Sequence, residues 1–356
     1  MVTAPFFPLL EVSGTHYEIG TQIGRKFKEK IHKGFTESRG VKQLLEWDRL
    51  KPERLDKVEQ LGKKYFPRYM DEITGIADGS GMDYRKVLAV NFMHVPFVER
   101  KDKVSTLDEM AEENCSTAIF RFPDHKMVCH NEDLDPVLGK YSYFLHYKLA
   151  DGSSFLAFAY CGCIPGLSFG FNSYGIVKTC NSLSDPYKKM GIPRILFGRS
   201  ILEAKSLSEA VTRTQQHSPR SGGASYNLVS LHDDQAVNVE TTSISAAITP
   251  ITGRYFRTNH YISDRLKKHL PPDDYGFTVE RYVAGLELLP RVEKSEQGIL
   301  KILLDPRVFI DPEKTKGRLA TVCTAIFKIS KTIDLRVYLP GTENEEYQRF
   351  SSDNLL

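Results

Sequence analysis

The order of elements along the chain predicts an α+β fold built in layers. Three observations carry that expectation. Helical periodicity fills the first hundred residues, period-two alternation follows residue 115, and helices and then strands return toward the C-terminus. A βαβ winding would alternate the two types regularly instead. The 356 residues are 41% hydrophobic, 26% charged and 11% aromatic. That composition excludes disordered, collagen and coiled-coil chains, and the length suits one large domain or two ordinary ones.

Thr15 and Glu18 form a capping-box pair, with Ile19, Ile23, Phe27 and Ile31 behind them on one helical face. Gly20 and Gly24 share another face, where a neighbour can pack closely. A second run carries Leu55, Val58 and Leu61, breaks at Pro67, resumes through Met70, Ile73, Ile76 and Ala77, and is expected to end at Gly79. Asp83 reads as the cap of a helix from Tyr84 to Met93. Residues 99–114 are charged and aperiodic and read as an exposed loop. Strands are expected at 118–122 and from Met127, then at 143–149 and 155–160 around Asp151-Gly152, and at 167–171 and 176–180 around Asn172–Gly175. Helices follow at 193–203 and from Ser206 with Glu209, strands at 226–231 and 236–240, helices at 279–289 and 298–304, and closing strands at 321–329 and 335–339.

Several function classes are excluded at this level. Forty-eight Lys and Arg against forty-five Asp and Glu leave +3, too little for an electrostatic nucleic-acid binder. No run of about eighteen apolar residues spans a bilayer, so neither a nucleic acid nor a membrane is an expected partner. The N-terminal apolar patch lacks the basic flank of a secretory signal, Asn354-Leu355-Leu356 is not a peroxisomal address, and six cysteines are too sparse for a disulfide scaffold. A cytoplasmic location is the expectation. Neither a P-loop nor a dinucleotide fingerprint can be written through the glycines, so no cofactor is expected. Cys161 and Cys163 lack a second pair at zinc-ligand spacing and read as buried small hydrophobes, so no metal is expected either.

Cys115 differs from the other cysteines because it stands where the polar loop meets the first strand, in Glu113-Asn114-Cys115-Ser116-Thr117, a boundary at which a thiol can be partly exposed, as a nucleophile must be. Two activation schemes apply. In one, His130 or His260 is the base of a cysteine–histidine pair. Asn259-His260 follows the papain order, but the papain surround needs a tryptophan after its cysteine pair and the only tryptophan is Trp47. In the other, Cys115 becomes the first residue of its own chain. Its thiol attacks the preceding carbonyl, water cleaves the thioester, and the freed α-amine, with a pKa near about 8, becomes the base for the same thiol. That scheme needs a carboxylate, a cation and amide donors for the oxyanion.

Six motifs lie in an order that resembles the penicillin acyltransferase-like branch of the N-terminal nucleophile hydrolases, across nearly the whole chain. They are Gly14-Thr15-His16-Tyr17-Glu18-Ile19-Gly20, Cys115-Ser116-Thr117, His130-Asn131-Glu132-Asp133, the 170–175 hairpin followed by Asn181, Thr258-Asn259-His260, and Gly317-Arg318. The resemblance implies an αββα four-layer sandwich, two antiparallel sheets between helical layers. It implies that Cys115 is the nucleophile, that Asp133 and Arg318 position and polarise its amine and thiol, and that Asn181 and Asn259 donate to the oxyanion. Ser225, in Ala224-Ser225-Tyr226-Asn227, falls at a site serine of the family. Self-cleavage between Asn114 and Cys115 would leave a mostly helical piece, 1–114, associated with a catalytic piece, 115–356, in one αββα domain. A fungal member of the family cuts after glycine, so Asn114 is a departure that crowds the scissile peptide. The implied activity is hydrolysis of a small N-acylated amine through a thioester on Cys115, with β-alanyl amines such as N-β-alanyldopamine or carcinine as candidates. The alternatives are an acyl-CoA-dependent N-acyltransferase, and an uncleaved, non-catalytic binding protein on the same fold.

Overall fold

The computed structural model describes residues 6–95, 114–187, 189–267, 276–293, 295–340 and 346–355. The chain opens with strand β1 (Leu9–Ser13) and helix α1 (His16–Glu37). Thr15 caps α1 as a complete capping box: its hydroxyl accepts from the Glu18 amide while the Glu18 carboxylate accepts from the Thr15 amide at 2.8 Å. Helices α2 (Arg39–Leu50), α3 (Glu53–Tyr65), α4 (Pro67–Ser80) and α5 (Tyr84–Asn91) follow. Pro67 separates α3 from α4, as its missing N–H requires. The expected stop at Gly79 is corrected: α4 runs past it and ends at Gly81, whose φ of 69° supplies the left-handed cap. Gly79 has another task. With Gly20, Gly24 and Gly75 it lets α1 and α4 touch backbone to backbone, since a Cβ on Gly20 would lie 2.0 Å from the Glu72 carbonyl oxygen and one on Gly79 2.3 Å from that of Thr21.

The strand block begins with β2 (Asn114–Arg121) and β3 (Lys126–Leu134), then α6 (Pro136–Tyr141), β4 (Tyr143–Lys148), β5 (Ser154–Ala159), β6 (Gly170–Asn172) and β7 (Ile176–Leu183). Gly152 and Gly175, with φ of 83° and 73°, make the two expected tight turns. After β8 (Ile192–Pro193), α7 (Arg194–Ile201), α8 (Leu207–Arg213) and β9 (Arg220–Ser221) come β10 (Gly223–Ser230), β11 (Ala236–Thr241), β12 (Ala246–Pro250) and β13 (Tyr255–Arg257). Helices α9 (Asp264–Lys267), α10 (Gly276–Leu288) and α11 (Glu296–Leu303) precede β14 (Ala320–Ile329), β15 (Ile333–Tyr338), β16 (Gln348–Ser351) and α12 (Ser352–Leu355). Most of the loop expected at 99–114 lies outside the described residues.

An eight-stranded sheet has the order β1-β4-β5-β6-β7-β10-β11-β12 and a six-stranded sheet the order β13-β2-β3-β14-β15-β16. Both are antiparallel except that β1 joins β4 in parallel, an edge pairing the sequence reading did not contain. The sheets face each other across an aromatic interior in which Phe169 meets Phe327 edge-on at 6.0 Å and Phe144, Phe158 and Phe169 cluster. Helices cover both outer faces. Tyr143 of the larger sheet stacks on Phe27 of α1 at 3.9 Å, and Tyr147 donates to the buried Glu72 of α4, which also pairs with Arg199 of α7 at 3.2 Å. Beyond the smaller sheet, Ala118, Phe120 and Cys129 share a core with Ala284 of α10 and Ile299 and Ile302 of α11. The architecture is an α+β sandwich of four layers, helices, sheet, sheet and helices. Among the described residues no helix is long and apolar enough to cross a membrane.

Candidate functional site

Strand alternation distributes the site residues between two environments. In the β2–β3 pairing, Asn114 stands opposite Asp133, Cys115 opposite Glu132, Ser116 opposite Asn131 and Thr117 opposite His130. Paired residues of an antiparallel ladder share a face. Cys115, Thr117, His130 and Glu132 therefore point between the sheets, while Ser116, Asn131 and Asp133 point toward α10 and α11. The contacts agree: Thr117 lies 3.4 Å from Thr179 of β7, and Asn131 donates to the Leu303 carbonyl of α11.

Cys115 is buried, 2% exposed, and β2 runs through it from Asn114. The partial exposure expected of a loop-edge thiol is thus corrected, because the strand starts at Asn114, four residues before the expected Ala118, and carries the sulfur inward. The Cys115 amide donates to Asn259 Oδ1 at 2.9 Å, and its carbonyl accepts from Asn181 Nδ2 at 3.0 Å. Both amide orientations are fixed by their partners. Asn259 Oδ1 also accepts from Arg281 Nη1 at 3.2 Å, while Asn259 Nδ2 donates to the Ser182 carbonyl at 3.0 Å. Asn181 Oδ1 accepts from the Thr117 hydroxyl and from Asn227 Nδ2, each at 2.9 Å, and Asn227 Oδ1 accepts from Asn238 Nδ2, also at 2.9 Å. A relay of three amides across β11, β10 and β7 thus aims Asn181 at the backbone of Cys115. Each amide NH2 carries two donors, and Asn181 uses one of them on that carbonyl.

Arg281 of α10 is the cation of the site. Its Nη2 donates to Ser116 Oγ at 2.7 Å and to Asp133 Oδ2 at 3.0 Å, and its Nε donates to the Val308 carbonyl at 3.2 Å. Asp133 Oδ1 accepts from the Thr321 hydroxyl at 2.6 Å. Burial pushes the Asp133 carboxyl up to about 7, although Arg281 and Thr321 oppose it. Burial also lowers the Arg281 guanidinium from its usual range, opposed by Asp133 and Cys115. A wholly buried ion pair of this kind is costly to break from one side, since the remaining charge loses its partner.

The structure corrects the placement of Arg318. That side chain is exposed and donates to the Thr315 carbonyl at 3.4 Å on the surface, because the turn before β14 points it outward. Thr321, three residues on, reaches Asp133 in its stead. Ser225 is buried opposite Asn181 in the β10–β7 register, where its hydroxyl accepts from Arg257 and from Asn238 Nδ2 at 2.6 Å. It belongs to the framework behind the amide relay, and no hydrogen bond runs from it to Cys115. His260 meets Thr258 and Thr278, each at 3.3 Å, and burial, reinforced by Arg257, lowers it to about 4.

Besides Thr321 and the amides of Asn227 and Asn238, two charged residues beside Cys115, Arg281 and Glu132, carry no role in the sequence analysis. Arg281 was legible as a lone arginine in line with Ala284 and Leu288 on the apolar face of a helix, a signal that does not say what it pairs with. Glu132 stands in His130-Asn131-Glu132-Asp133, where the resemblance implies no role for it. Its carboxylate accepts from the hydroxyls of Tyr160 and Ser168, lies 3.2 Å from His130 Nε2, and faces Cys115 Sγ at 3.9 Å. The His130 Nδ1 is in turn 2.9 Å from the Thr117 hydroxyl. Donor atoms of Cys115, His130 and Glu132 lie within 4.8 Å of one another, but hydrogen bonds already engage the imidazole and both carboxylate oxygens, so the group reads as a closed polar cluster around the sulfur and not as a cation site.

Chemically, the arrangement places a thiol, an adjacent backbone nitrogen held by an acceptor, a buried carboxylate–guanidinium pair and a fixed amide donor on one strand and its neighbours. Comparison with known proteins finds the following similarities. The family model described as acyl-coenzyme A:6-aminopenicillanic acid acyl-transferase matches residues 121–343, more than half of the chain. Over 217 residues the chain is 26% identical to the beta-alanyl-dopamine/carcinine hydrolase of Drosophila melanogaster, covering 57% of this chain but only 56% of that protein. Over 267 residues it is 25% identical to the acyl-coenzyme A:6-aminopenicillanic-acid-acyltransferase 40 kDa form of Emericella nidulans, covering 69% of this chain and 67% of that one. A solved structure of a mutant conjugated bile acid hydrolase from Clostridium perfringens is similar with a TM-score of 0.42 at 10% identity, covering 67% of this chain and 93% of its own.

Proposed function

The chain belongs to the acyl-coenzyme A:6-aminopenicillanic acid acyl-transferase family, and from that premise we propose that it is a self-processing cysteine amidohydrolase. The observation that carries the reading is the Cys115 nitrogen, held by Asn259 Oδ1 beside the Arg281–Asp133 pair. Cleavage of the Asn114–Cys115 peptide turns that amide into an α-amine with a pKa near about 8, able to take the thiol proton. Asn259 would hold the amine with its oxygen, leaving its lone pair toward the sulfur. Arg281 would keep Asn259 in that orientation. The thiolate then attacks a substrate amide, the amine passes the proton to the leaving amine, and water resolves the thioester. Asn181, locked by Thr117 and Asn227, donates to the Cys115 carbonyl, and a fixed donor of that kind stabilises an oxyanion without reorganisation.

The named activity of the Drosophila relative supports a small N-acylated amine, a β-alanyl amine in the first instance, as the substrate. The longer match to the Emericella acyltransferase supports a second reading in which an amine replaces water as acceptor and acyl-CoA supplies the acyl group. Two incubations separate them: an N-β-alanyl amine alone, or acyl-CoA with an amine. The test of the common step is intact mass with N-terminal sequencing. A large fragment opening Cys-Ser-Thr is expected, and an active enzyme with an uncut chain would refute the reading.

A further inference from the structure

Self-cleavage poses a problem that the mature chemistry does not. Before the cut, the Cys115 nitrogen is an amide, whose lone pair is delocalised into the carbonyl and takes no proton. The thiol must nevertheless lose its proton to attack the Asn114 carbonyl, so the base for this first step has to come from elsewhere. The continuous β2 strand shows which group is in place. Cys115 Sγ faces Glu132 Oε1 at 3.9 Å, within reach for a sulfur donor, and register pairing puts the two side chains directly opposite on the same face. Among the described residues, His130 and Asp133 are aimed elsewhere. His130 spends Nδ1 on Thr117 and Nε2 on Glu132, and the Asp133 carboxylate lies on the opposite face of the strand with Arg281 and Thr321.

We propose that Glu132 is the general base of self-processing, a role that rests on the cleavage reading above and ends once the α-amine exists. The step balances as follows. The thiol proton moves to Glu132 Oε1, and the sulfur bonds to the Asn114 carbonyl carbon to give a tetrahedral adduct. The C–N bond then breaks as the proton passes from Glu132 to the departing Cys115 nitrogen. The products are an Asn114 thioester and a free amine. Water hydrolyses the thioester, releasing the Asn114 carboxylate and restoring the thiol. Tyr160, Ser168 and His130 hold the carboxylate from three sides, so it needs no rearrangement to receive the proton. Proton transfer by a positioned group contributes about 10²- to 10⁴-fold.

The test follows cleavage of the full chain by intact mass, in wild type, Glu132→Gln and Glu132→Asp, with and without hydroxylamine, which cuts thioesters but not amides. Glu132→Gln is expected to slow cleavage at least about 100-fold, with hydroxylamine giving no acceleration because no thioester forms. Glu132→Asp retains a carboxylate and is expected to cut at an intermediate rate, which keeps the proposal testable if the glutamine variant does not fold. Wild-type cleavage with an unslowed Glu132→Gln overturns the base assignment alone. Hydroxylamine restoring cleavage in Glu132→Gln also overturns it, by placing Glu132 after the thioester. A wild type that never cuts overturns the cleavage reading itself, and this proposal with it.

Discussion

At the scale of single residues, the site divides into groups that act on the sulfur and groups that hold the nitrogen beside it. Cys115→Ala is expected to remain one full-length chain and to lack turnover, as read on a denaturing gel and by assay; measurable turnover in that variant would remove the thiol from the mechanism. The two arginines separate sharply. Arg318 is exposed with one long contact to a carbonyl, so Arg318→Ala is expected to leave stability within about 0.5 kcal/mol and processing unchanged. Arg281 serves Asn259, Ser116, Asp133 and Val308 with one planar fork. An ammonium cannot reproduce that fork, so Arg281→Lys is expected to lower kcat by more than tenfold while keeping the charge. Equal effects from the two substitutions would contradict the structural assignment.

Asp133 also makes a pH prediction. The folded chain holds its proton up to about 7, whereas an unfolded chain gives it up near about 4. Its contribution to stability is therefore complete below the lower value and lost as pH rises through the higher one. In the uncut Cys115→Ala background, the parent is expected to lose up to about 4 kcal/mol relative to the chain that also carries Asp133→Asn between pH 4 and pH 8, measured by denaturant unfolding. Parallel stability curves would show that Asp133 is ionised throughout.

At the scale of elements, the α1–α4 contact makes a prediction of sign. In an open helix, alanine is favoured over glycine by about 1 kcal/mol. At Gly20 the added carbon would lie 2.0 Å from the Glu72 carbonyl oxygen, so the helices would have to part. Gly20→Ala is expected to destabilise the chain by about 1–3 kcal/mol in thermal unfolding; a stabilised variant would mean the helices sit further apart. This contact was half legible. The spacing of Gly20 and Gly24 announced a close neighbour, but that Gly75 and Gly79 lie on the partner follows from the fold. The hairpins were legible for a local reason: Asp151-Gly152 and Asn172–Gly175 need a left-handed residue where one is offered. Strand β1 and helix α2 went unread. β1 is five residues of an edge strand whose partner β4 lies well over a hundred residues further on. Arg318 was misplaced for a related reason, since motif spacing fixes a position in the chain and not the side of a turn from which the side chain leaves it.

At the scale of the whole molecule, the helical layer formed by α1, α4 and α7 is bound to the larger sheet by Phe27 on Tyr143 and by the Glu72 cluster with Tyr147 and Arg199. Phe27 and Glu72 precede residue 115, whereas Tyr143, Tyr147 and Arg199 follow it. A cut between Asn114 and Cys115 leaves these contacts untouched, so the two pieces are expected to co-elute in gel filtration and to separate only in denaturant. Two separate peaks under native conditions would show that the apolar helix faces do not hold them together.

The sequence by itself determined most of the longer elements and their order, the tight turns, and the place of Cys115 where a polar loop meets the first strand of the block, because caps, periodicity and turn residues act between neighbours a few positions apart. The tertiary structure decided the electrostatics. Which cation meets Asp133, which oxygen meets the Cys115 nitrogen and which carboxylate faces the sulfur depend on strand register and on the approach of α10 from more than a hundred residues away. Both alternate side-chain directions with a period of two or arrive from distant elements, and local sequence carries no record of either.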